Sequence, residues 1–413
     1  MVVLVATIVI GLYMAWNIGA NDVANAMGTS VGSRSLTFRQ AVVLAAIFEF
    51  AGAVLVGTHV SETVRKGIID PMHFAANPQL LVIGMFAALL ASALWLNVAT
   101  VFGQPVSTTH SIVGSVCGVG IIAGGAVKWG MLGNIAASWL ISPVASGIIA
   151  FLTFRFITRR IFGVDEPGRA VEKRAPYFVA VVAFILTMSF IYKGLKNLHL
   201  NCPLPQALIV AVGVSAVAAV VSHLLFKRIA NHSRKRVLED EYDYVESHFK
   251  YLQIVTACYV AFAHGANDVA NAVGPVAAVV EIHRTGEVVM TVAVPMWILL
   301  MGGVGIVVGL ATFGRRVMET IGKRITEITP SRGFAAEIAA ATTVLVCSRC
   351  GLPVSTTHAL VGAVIGVGLA RGIAGLRIRT VRQILTSWIA TVPITAGLTM
   401  LIFAVAKWLL LRG

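Results

Sequence analysis

The chain has 413 residues, of which 57% are hydrophobic and only 12% are charged, and its formal net charge is +14 at pH 7. A soluble globular domain carries about 25% charged residues, so this composition excludes an ordinary soluble protein and favours an all-α, polytopic membrane protein. The basic residues lie between apolar runs, so the positive charge does not indicate a nucleic-acid partner.

The first 160 residues contain five apolar runs that are candidates for crossing about 30 Å of hydrocarbon. The first has no basic n-region before it and no cleavage site after it, so we expect it to be retained rather than removed as a signal peptide. The runs do not alternate with polar residues, as strands of a membrane barrel do. They are Val2–Ile18, Gln40–Val60, Leu80–Ala99, Pro105–Val127 and Trp129–Phe154.

Two further runs, Tyr177–Tyr192 and Pro205–Phe226, precede a charged linker at Lys227–Lys250 that reads as a cytoplasmic helix. The remaining chain repeats the first part and ends in the apolar run Trp388–Leu411. We therefore expect about 12 transmembrane helices in total.

Three motifs recur in the same order in the two parts of the chain. GANDVANA occurs at Gly19–Ala26 and Gly265–Ala272, SETVRKGII at Ser61–Ile69 matches METIGKRIT at Met318–Thr326, and QPVSTTH at Gln104–His110 matches LPVSTTH at Leu352–His358. The pattern predicts a first transmembrane repeat at residues 1–160, a two-helix insert with the charged cytoplasmic linker at 161–249, and a second repeat at 250–413.

The number of crossings decides how the repeats are related. Seven runs precede the second GANDVANA, which predicts an inverted repeat; if Pro105–Val127 only dips into the membrane and returns, the repeats would be parallel. Basic residues favour the cytoplasmic side, and most of them lie there if both termini are outside. We expect a multi-pass protein of a prokaryotic plasma membrane in that orientation.

Four carboxylates lie in strongly apolar surroundings, where an ionisable residue is costly and serves a function. They are Asp22, Glu49, Asp268 and Glu337. Glycine and asparagine flank both aspartates and tolerate non-helical backbone, so we expect a broken helix at each. Carboxylates with the amides of Asn21 and Asn267 would then form an oxygen cage suited to sodium.

The PVSTTH motifs predict the complementary chemistry. Proline favours the first position of a helix, and the hydroxyls that follow would lie at a helix N-terminus, where anions bind. These hydroxyls belong to Ser107, Thr108, Thr109, Ser355, Thr356 and Thr357. Ordinary helix capping is the alternative. His110 and His358 are expected to be structural hydrogen-bond partners.

The chain closely resembles the inorganic phosphate transporter (PiT) family of phosphate symporters. The resemblance is carried by both GANDVANA copies, the extended GANDVANAVGPVAAV and both PVSTTH copies. The resemblance implies inverted repeats, termini outside, and import of inorganic phosphate with sodium, with protons or as metal phosphate. It implies that Asp22, Asp268, Glu49 and Glu337 couple to cations, and that Asn25, Asn271 and the hydroxyl triplets cradle phosphate. The short central loop departs from animal members and indicates a microbial protein; Gln104 departs from the usual apolar residue.

The resulting hypothesis is a sodium-coupled phosphate symporter that is not an enzyme, that uses sodium as a co-substrate without another cofactor, and that could form a homodimer. Proton-coupled, metal-phosphate and sulfate symport are alternatives of the same fold, and a passive channel is a further class. An intramembrane phosphoesterase is disfavoured because Arg349 is the lone basic candidate for a phosphate clamp.

Overall fold

The computed structural model describes residues 1–57, 68–125, 127–191, 202–233, 241–289, 294–349, 354–372 and 375–411. Within these ranges the regular secondary structure is helical, apart from one isolated bridge between Ile69 and Val127, and turns and loops connect the helices. The all-α prediction is confirmed. Several predicted segments lie partly outside the description: the run Gln40–Val60, the repeat Ser61–Ile69, the run Tyr177–Tyr192, the linker Lys227–Lys250, and the motif Leu352–His358.

Thirteen α-helices are described. They are α1 (Val2–Gly32), α2 (Phe38–Val56), α3 (Pro78–Val101), α4 (Thr108–Ile122), α5 (Trp129–Ile157), α6 (Pro167–Ser189), α7 (Leu204–Ser233), α8 (Glu241–Thr285), α9 (Met296–Phe313), α10 (Arg315–Glu319), α11 (Pro330–Arg349), α12 (Thr356–Ala370) and α13 (Ile378–Leu411). Short 3-10 or π-helical turns cover Pro71–Phe74, Thr158–Phe162 and Thr320–Arg324.

Seven of the described helices are long and apolar enough to cross a membrane by themselves. Helices α4 and α12 have 15 residues each, or about 22 Å, which is shorter than the hydrocarbon layer of about 30 Å. Each short helix begins at a PVSTTH motif and packs against the helix before it, α3 or α11. The predicted span at Pro105–Val127 is therefore the second arm of a hairpin, and its tip lies inside the protein.

The two GANDVANA copies lie on antiparallel helices. Gly11 lies against Val276, while Asp22 lies beside His264, so α1 and α8 run in opposite directions where they meet. This geometry is what an inverted repeat predicts, and it does not depend on counting spans. The parallel relation that we expected for a dipping Pro105–Val127 segment is therefore not what the helices show. The boundaries after residues 160 and 249 stay predictions; the second falls inside α8.

The expected helix breaks at GANDVANA are wrong. Helix α1 continues through Gly19–Ala26, and α8 continues through Gly265–Ala272. The glycines instead permit close packing, since a Cβ at Gly19 would strike the backbone of Ile306 and one at Gly265 that of Glu49. The irregular backbone lies at the tip between α3 and α4, where Gly103 has a φ of 64°, a conformation that glycine adopts freely.

Equivalent positions in the two halves make equivalent contacts. Gly52 packs against the backbone of Phe262, as Gly309 packs against that of Trp16. The short helix of each half also packs against the last helix of the other half, α4 on α13 and α12 on α5. The halves are thus interleaved, and the starts of α4 and α12 meet near the middle of α1 and α8.

Helix α8 has 45 residues, about 68 Å, and begins in the charged linker. Near its start the Tyr244 hydroxyl donates to Glu172 of α6 over 2.6 Å. The Glu246 carboxylate accepts from the Ser331 amide and hydroxyl of α11 over 2.8 and 2.7 Å. The linker end of α8 is therefore fixed both to the insert and to the second hairpin.

Candidate functional site

The candidate site lies where α1 and α8 cross beside the N-termini of α4 and α12. Asp22, Glu49, His264 and Asp268 are completely buried there. Within the described ranges, a carboxylate oxygen from each aspartate and a ring nitrogen of His264 lie within 4.8 Å of one another. Such a concentration of ionisable groups at membrane depth indicates a functional site rather than a packing core.

On the α1 side, Asp22 Oδ1 accepts from the Asn25 amide over 2.9 Å and from the Thr357 hydroxyl over 3.3 Å. The Asn25 amide also donates to Thr357 Oγ1 over 2.8 Å. Asp22 Oδ2 and Asn25 Oδ1 are buried and form no hydrogen bond with the described residues. The two Glu49 oxygens share this property, so the site contains four acceptor oxygens without hydrogen bonds to described residues.

Asp268, on α8, is more fully bonded than Asp22. Its Oδ1 accepts from Asn267 over 3.1 Å and from Asn271 over 3.3 Å, and its Oδ2 accepts from the Thr356 hydroxyl over 3.0 Å. Asn271 also donates to Thr108 Oγ1 over 3.4 Å. The aspartates of both halves thus reach the hydroxyls at the start of α12.

Asn21 supports the first hairpin tip. Its amide nitrogen donates to Thr100 Oγ1 over 2.9 Å and to the Gln104 carbonyl over 3.1 Å, and its oxygen accepts from the Val106 amide over 3.2 Å. Both polar atoms of the side chain are therefore engaged by the protein. Gln104, the residue that departs from the family pattern, takes part through its backbone.

The two predicted serines cap the short helices. Ser107 Oγ accepts from the His110 amide over 3.1 Å, and Ser355 Oγ accepts from the His358 amide over 3.2 Å. Their caps satisfy N–H groups that a helix start would leave unpaired. The threonines that follow are buried, and Thr108, Thr356 and Thr357 contact the asparagines and aspartates described above.

His264 is the site residue that the sequence predictions missed. Its Nε2 lies 2.9 Å from Asp268 Oδ2 and 3.4 Å from Asp22 Oδ2, and its Nδ1 lies 3.5 Å from Glu49 Oε2. A signal existed: the residue before GANDVANA is isoleucine in the first copy, Ile18, and histidine in the second.

Glu337 lies apart from the other predicted carboxylates. Its Oε1 accepts from Thr29 over 2.6 Å, from Ser30 over 3.0 Å and from Gln253 over 3.2 Å, and its Oε2 accepts from Thr256. Thr29 is seven residues beyond Asp22 on α1, roughly 10 Å along the axis. The structure therefore separates the predicted cation ligands into a central cluster and a Glu337 cluster.

The central cluster can hold small cations and an anion side by side. Unpartnered carboxylate and amide oxygens are hard ligands that suit sodium. The N-terminal ends of α4 and α12 supply a positive dipole end and hydroxyl donors, which suit a phosphate-like anion. Sodium and phosphate are the two ligand types that the motifs predict, and their binding at this cluster stays a prediction.

The sequence model of the phosphate transporter family matches residues 18–399. A putative phosphate permease of Haemophilus influenzae is 44% identical over 405 residues, which cover 97% of this chain and 96% of that protein. A putative phosphate permease of Thermococcus kodakarensis is 46% identical over 404 residues, with 97% of each chain covered. The chloroplastic inorganic phosphate transporter 2-1 of Arabidopsis thaliana is 44% identical over 96% of this chain and 71% of its own length.

Among solved structures, one described as the sodium-dependent phosphate transporter superposes with a TM-score of 0.91 at 42% identity. It covers 99% of this chain, and this chain covers 100% of it. The similarity therefore extends over all of the helices that build the site.

Proposed function

Because the chain belongs to the phosphate transporter family, we propose that it imports inorganic phosphate by symport with sodium through alternating access. One observation carries the proposal: Asp22 Oδ2 and Asn25 Oδ1 are buried beside the hydroxyls of a helix N-terminus and accept no hydrogen bond from the described residues. Buried polar atoms are normally hydrogen-bonded, so oxygens left over at such a site are suited to a transported ligand. In this proposal the chain is a multi-pass plasma-membrane protein with both termini outside.

The charge of the central cluster supports a cation requirement. Three carboxylates, those of Asp22, Glu49 and Asp268, share one imidazole in a fully buried environment. A buried carboxylate is stable only when it is paired or bound to a cation. In the proposal, sodium ions supply the missing positive charge, with Asn21 and Asn267 supporting the ligands, and Glu337 forms a separate sodium site.

The hydrogen bonds of the threonines support an order of binding. Thr356 and Thr357 donate to Asp268 and Asp22, so these donors are occupied by the protein's own carboxylates. Sodium bound to the aspartates would compete with those hydrogen bonds and free the hydroxyls. Phosphate would then bind through Asn25, Asn271 and the two hydroxyl triplets, Ser107–Thr109 and Ser355–Thr357.

Coupling to cations is also required energetically. Moving one charge across 100 mV is worth about 2.3 kcal/mol, so importing divalent phosphate against an inside-negative potential costs roughly 4.6 kcal/mol. Two sodium ions cancel this cost and a third makes uptake electrogenic. A protonated phosphate can also donate to Asp22, whereas sulfate cannot, so phosphate should be preferred to sulfate.

The test is labelled phosphate uptake into proteoliposomes under an imposed sodium gradient, and separately under a proton gradient. We expect sodium to drive uptake, and Asp22→Asn to abolish it because the substitution replaces the unpartnered Oδ2 with an amide. Glu246→Gln, a buried carboxylate outside the site, is the matched control and should remain active. Uptake driven only by protons would contradict sodium coupling, and equal inhibition by excess sulfate would contradict phosphate selectivity.

Metal-phosphate symport is a second candidate, and one observation favours it. His264, Asp22 and Asp268 present three ligand atoms within 4.8 Å, and imidazole with carboxylates suits a divalent transition ion. The same proteoliposomes distinguish the candidates: uptake that needs Mn²⁺ instead of sodium, with labelled metal entering alongside phosphate, would support the second.

A further inference from the structure

The two halves of the site differ at one pair of positions that the repeat relates. His264 precedes the second GANDVANA, as Ile18 precedes the first. Gly265 packs against the backbone of Glu49, as Gly19 packs against that of Ile306. The relation between the two repeats therefore places His264 at the position of Ile18, and Glu49 at the position of Ile306. All four side chains are completely buried.

The asymmetric pair is joined to both aspartates. His264 Nδ1 faces Glu49 Oε2 at 3.5 Å, and this is the one polar contact of the Glu49 carboxylate within the described part of the chain. The opposite ring atom, Nε2, faces Asp268 at 2.9 Å and Asp22 at 3.4 Å. One rigid ring thus connects α2 to a carboxylate from each half.

A carboxylate on one side of a histidine commonly fixes the ring so that the other nitrogen can act. Without the ring, the Asp22 and Asp268 carboxylates would face each other with like charge at close range. Glu49 lies on the far side of the ring from both aspartates. Its 3.5 Å approach to Nδ1 is an ion-pair contact, since neither the Glu49 oxygens nor the ring nitrogens form a hydrogen bond with described residues. This position suits a residue that holds His264 better than one that binds the cargo directly.

We propose that Glu49 and His264 form one positioning unit, in which Glu49 orients the imidazole and the imidazole holds the two aspartates together for the cargo. The inference rests on the proposed function and narrows it, because Glu49 then acts through His264 and is not itself a sodium ligand. It also makes the two halves of the site non-equivalent.

The repeat itself supplies the test variant. The double substitution Glu49→Ile with His264→Ile installs the residues that the other half carries at the equivalent positions. Replacing a buried charged pair by apolar residues is often neutral for stability, whereas removing one partner is destabilising. His264→Ile should lower the melting temperature most, because it leaves Glu49 without a partner and the Asp22 and Asp268 carboxylates facing each other. The double variant removes the unpaired Glu49 and should recover part of that loss.

Transport should not recover with stability. We expect the double variant to retain at most about one tenth of the wild-type Vmax/KM for sodium-driven phosphate uptake. The control pair Ile18→Leu with Ile306→Leu should fold and transport normally. A double variant that is stable and transports like the wild type would overturn the inference, because the pair would then be only structural. If the wild type shows no sodium-driven uptake, it is the proposed function that fails.

If the variant with Glu49→Ile and His264→Ile does not fold, a second set of variants tests the inference. It consists of Glu49→Gln, His264→Gln and the two substitutions combined. Residues that act as one unit give non-additive losses, so the double variant should transport no worse than the more damaged single variant. Losses that multiply would show that the two residues act independently and would overturn the inference.

Discussion

Glu337 shows what a buried carboxylate needs when no basic side chain among the described residues forms an ion pair with it. Four described side chains, those of Thr29, Ser30, Gln253 and Thr256, donate to it. Hydrogen bonds to a charged acceptor are worth more than neutral ones, so the carboxylate is held in place but its charge is not neutralised. A sodium ion would complete the cluster.

We expect Glu337→Gln to weaken the apparent sodium affinity of phosphate uptake at least about fivefold, because the amide keeps the shape but removes the charge. The KM for phosphate at saturating sodium should change less than twofold, since Thr29, which donates to Glu337, lies about 10 Å along α1 from Asp22. Sodium titration of uptake in proteoliposomes, with Glu246→Gln as the control, measures both. An unchanged sodium titration would remove Glu337 from the cation pathway.

For individual residues, the sequence predicted which motifs meet but not which side chains contact each other. Asp22, Asn25, Asp268 and Asn271 do meet the PVSTTH hydroxyls, because two repeated motifs in apolar chain imply one shared site. Neither the separation of Glu337 from Glu49 nor the role of His264 could be predicted, since both depend on how the helices cross. Thr29 and Gln253 lie in no repeated motif.

At the scale of helices, the glycines of GANDVANA set the distance between elements. A Cβ at Gly265 would overlap the Glu49 carbonyl of α2, whereas a Cβ at Gly213 of α7 would meet open space. Small residues let membrane helices approach closely. Glycine is favoured both where the backbone leaves the helix and where two helices pack closely. The sequence alone could not separate these two roles, so the prediction assigned the glycines to helix breaks.

We expect Gly265→Ala to lower the free energy of unfolding by about 1–3 kcal/mol or more, because overpacking forces α8 away from α2. Gly213→Ala should be neutral or slightly stabilising, since alanine is the better helix former. Melting temperatures of the two purified variants test the difference. Equal melting temperatures would show that α2 and α8 can separate without cost.

At the scale of the whole molecule, cargo binding should stabilise the fold, because the site joins both halves through α1, α8 and α12. Ligand at 100 times its Kd adds about 2.7 kcal/mol. We expect sodium with phosphate to raise the melting temperature of the purified protein, and phosphate without sodium to have little effect. Asp22→Asn should lose the response, and potassium in place of sodium is the salt control. A full response to phosphate in potassium would exclude the proposed order of binding.

The membrane class and the antiparallel relation of the two GANDVANA helices were accessible from composition and repeats. Membership of a transporter family agrees with the prediction that the chain is not an enzyme. The number of membrane-spanning helices was harder to predict from the sequence. Helices α4 and α12 are as apolar as full spans but are too short to cross the bilayer. A hydropathy pattern does not record where a helix begins relative to the bilayer.

Helix α8 carries the site in its middle and contacts α6 and α11 through Tyr244 and Glu246 at its beginning. The part of α8 from Glu241 to Asp268 lies before the internal Pro275 and is about 40 Å long, so one uninterrupted segment connects the buried site with the charged linker. Because Tyr244 and Glu246 tie this end to α6 and α11, a tilt of α8 by a few degrees at the site would move the three helices together at the linker end, by about 2–3 Å. A spectroscopic label at Tyr242 would therefore report tilting of α8 at the buried site.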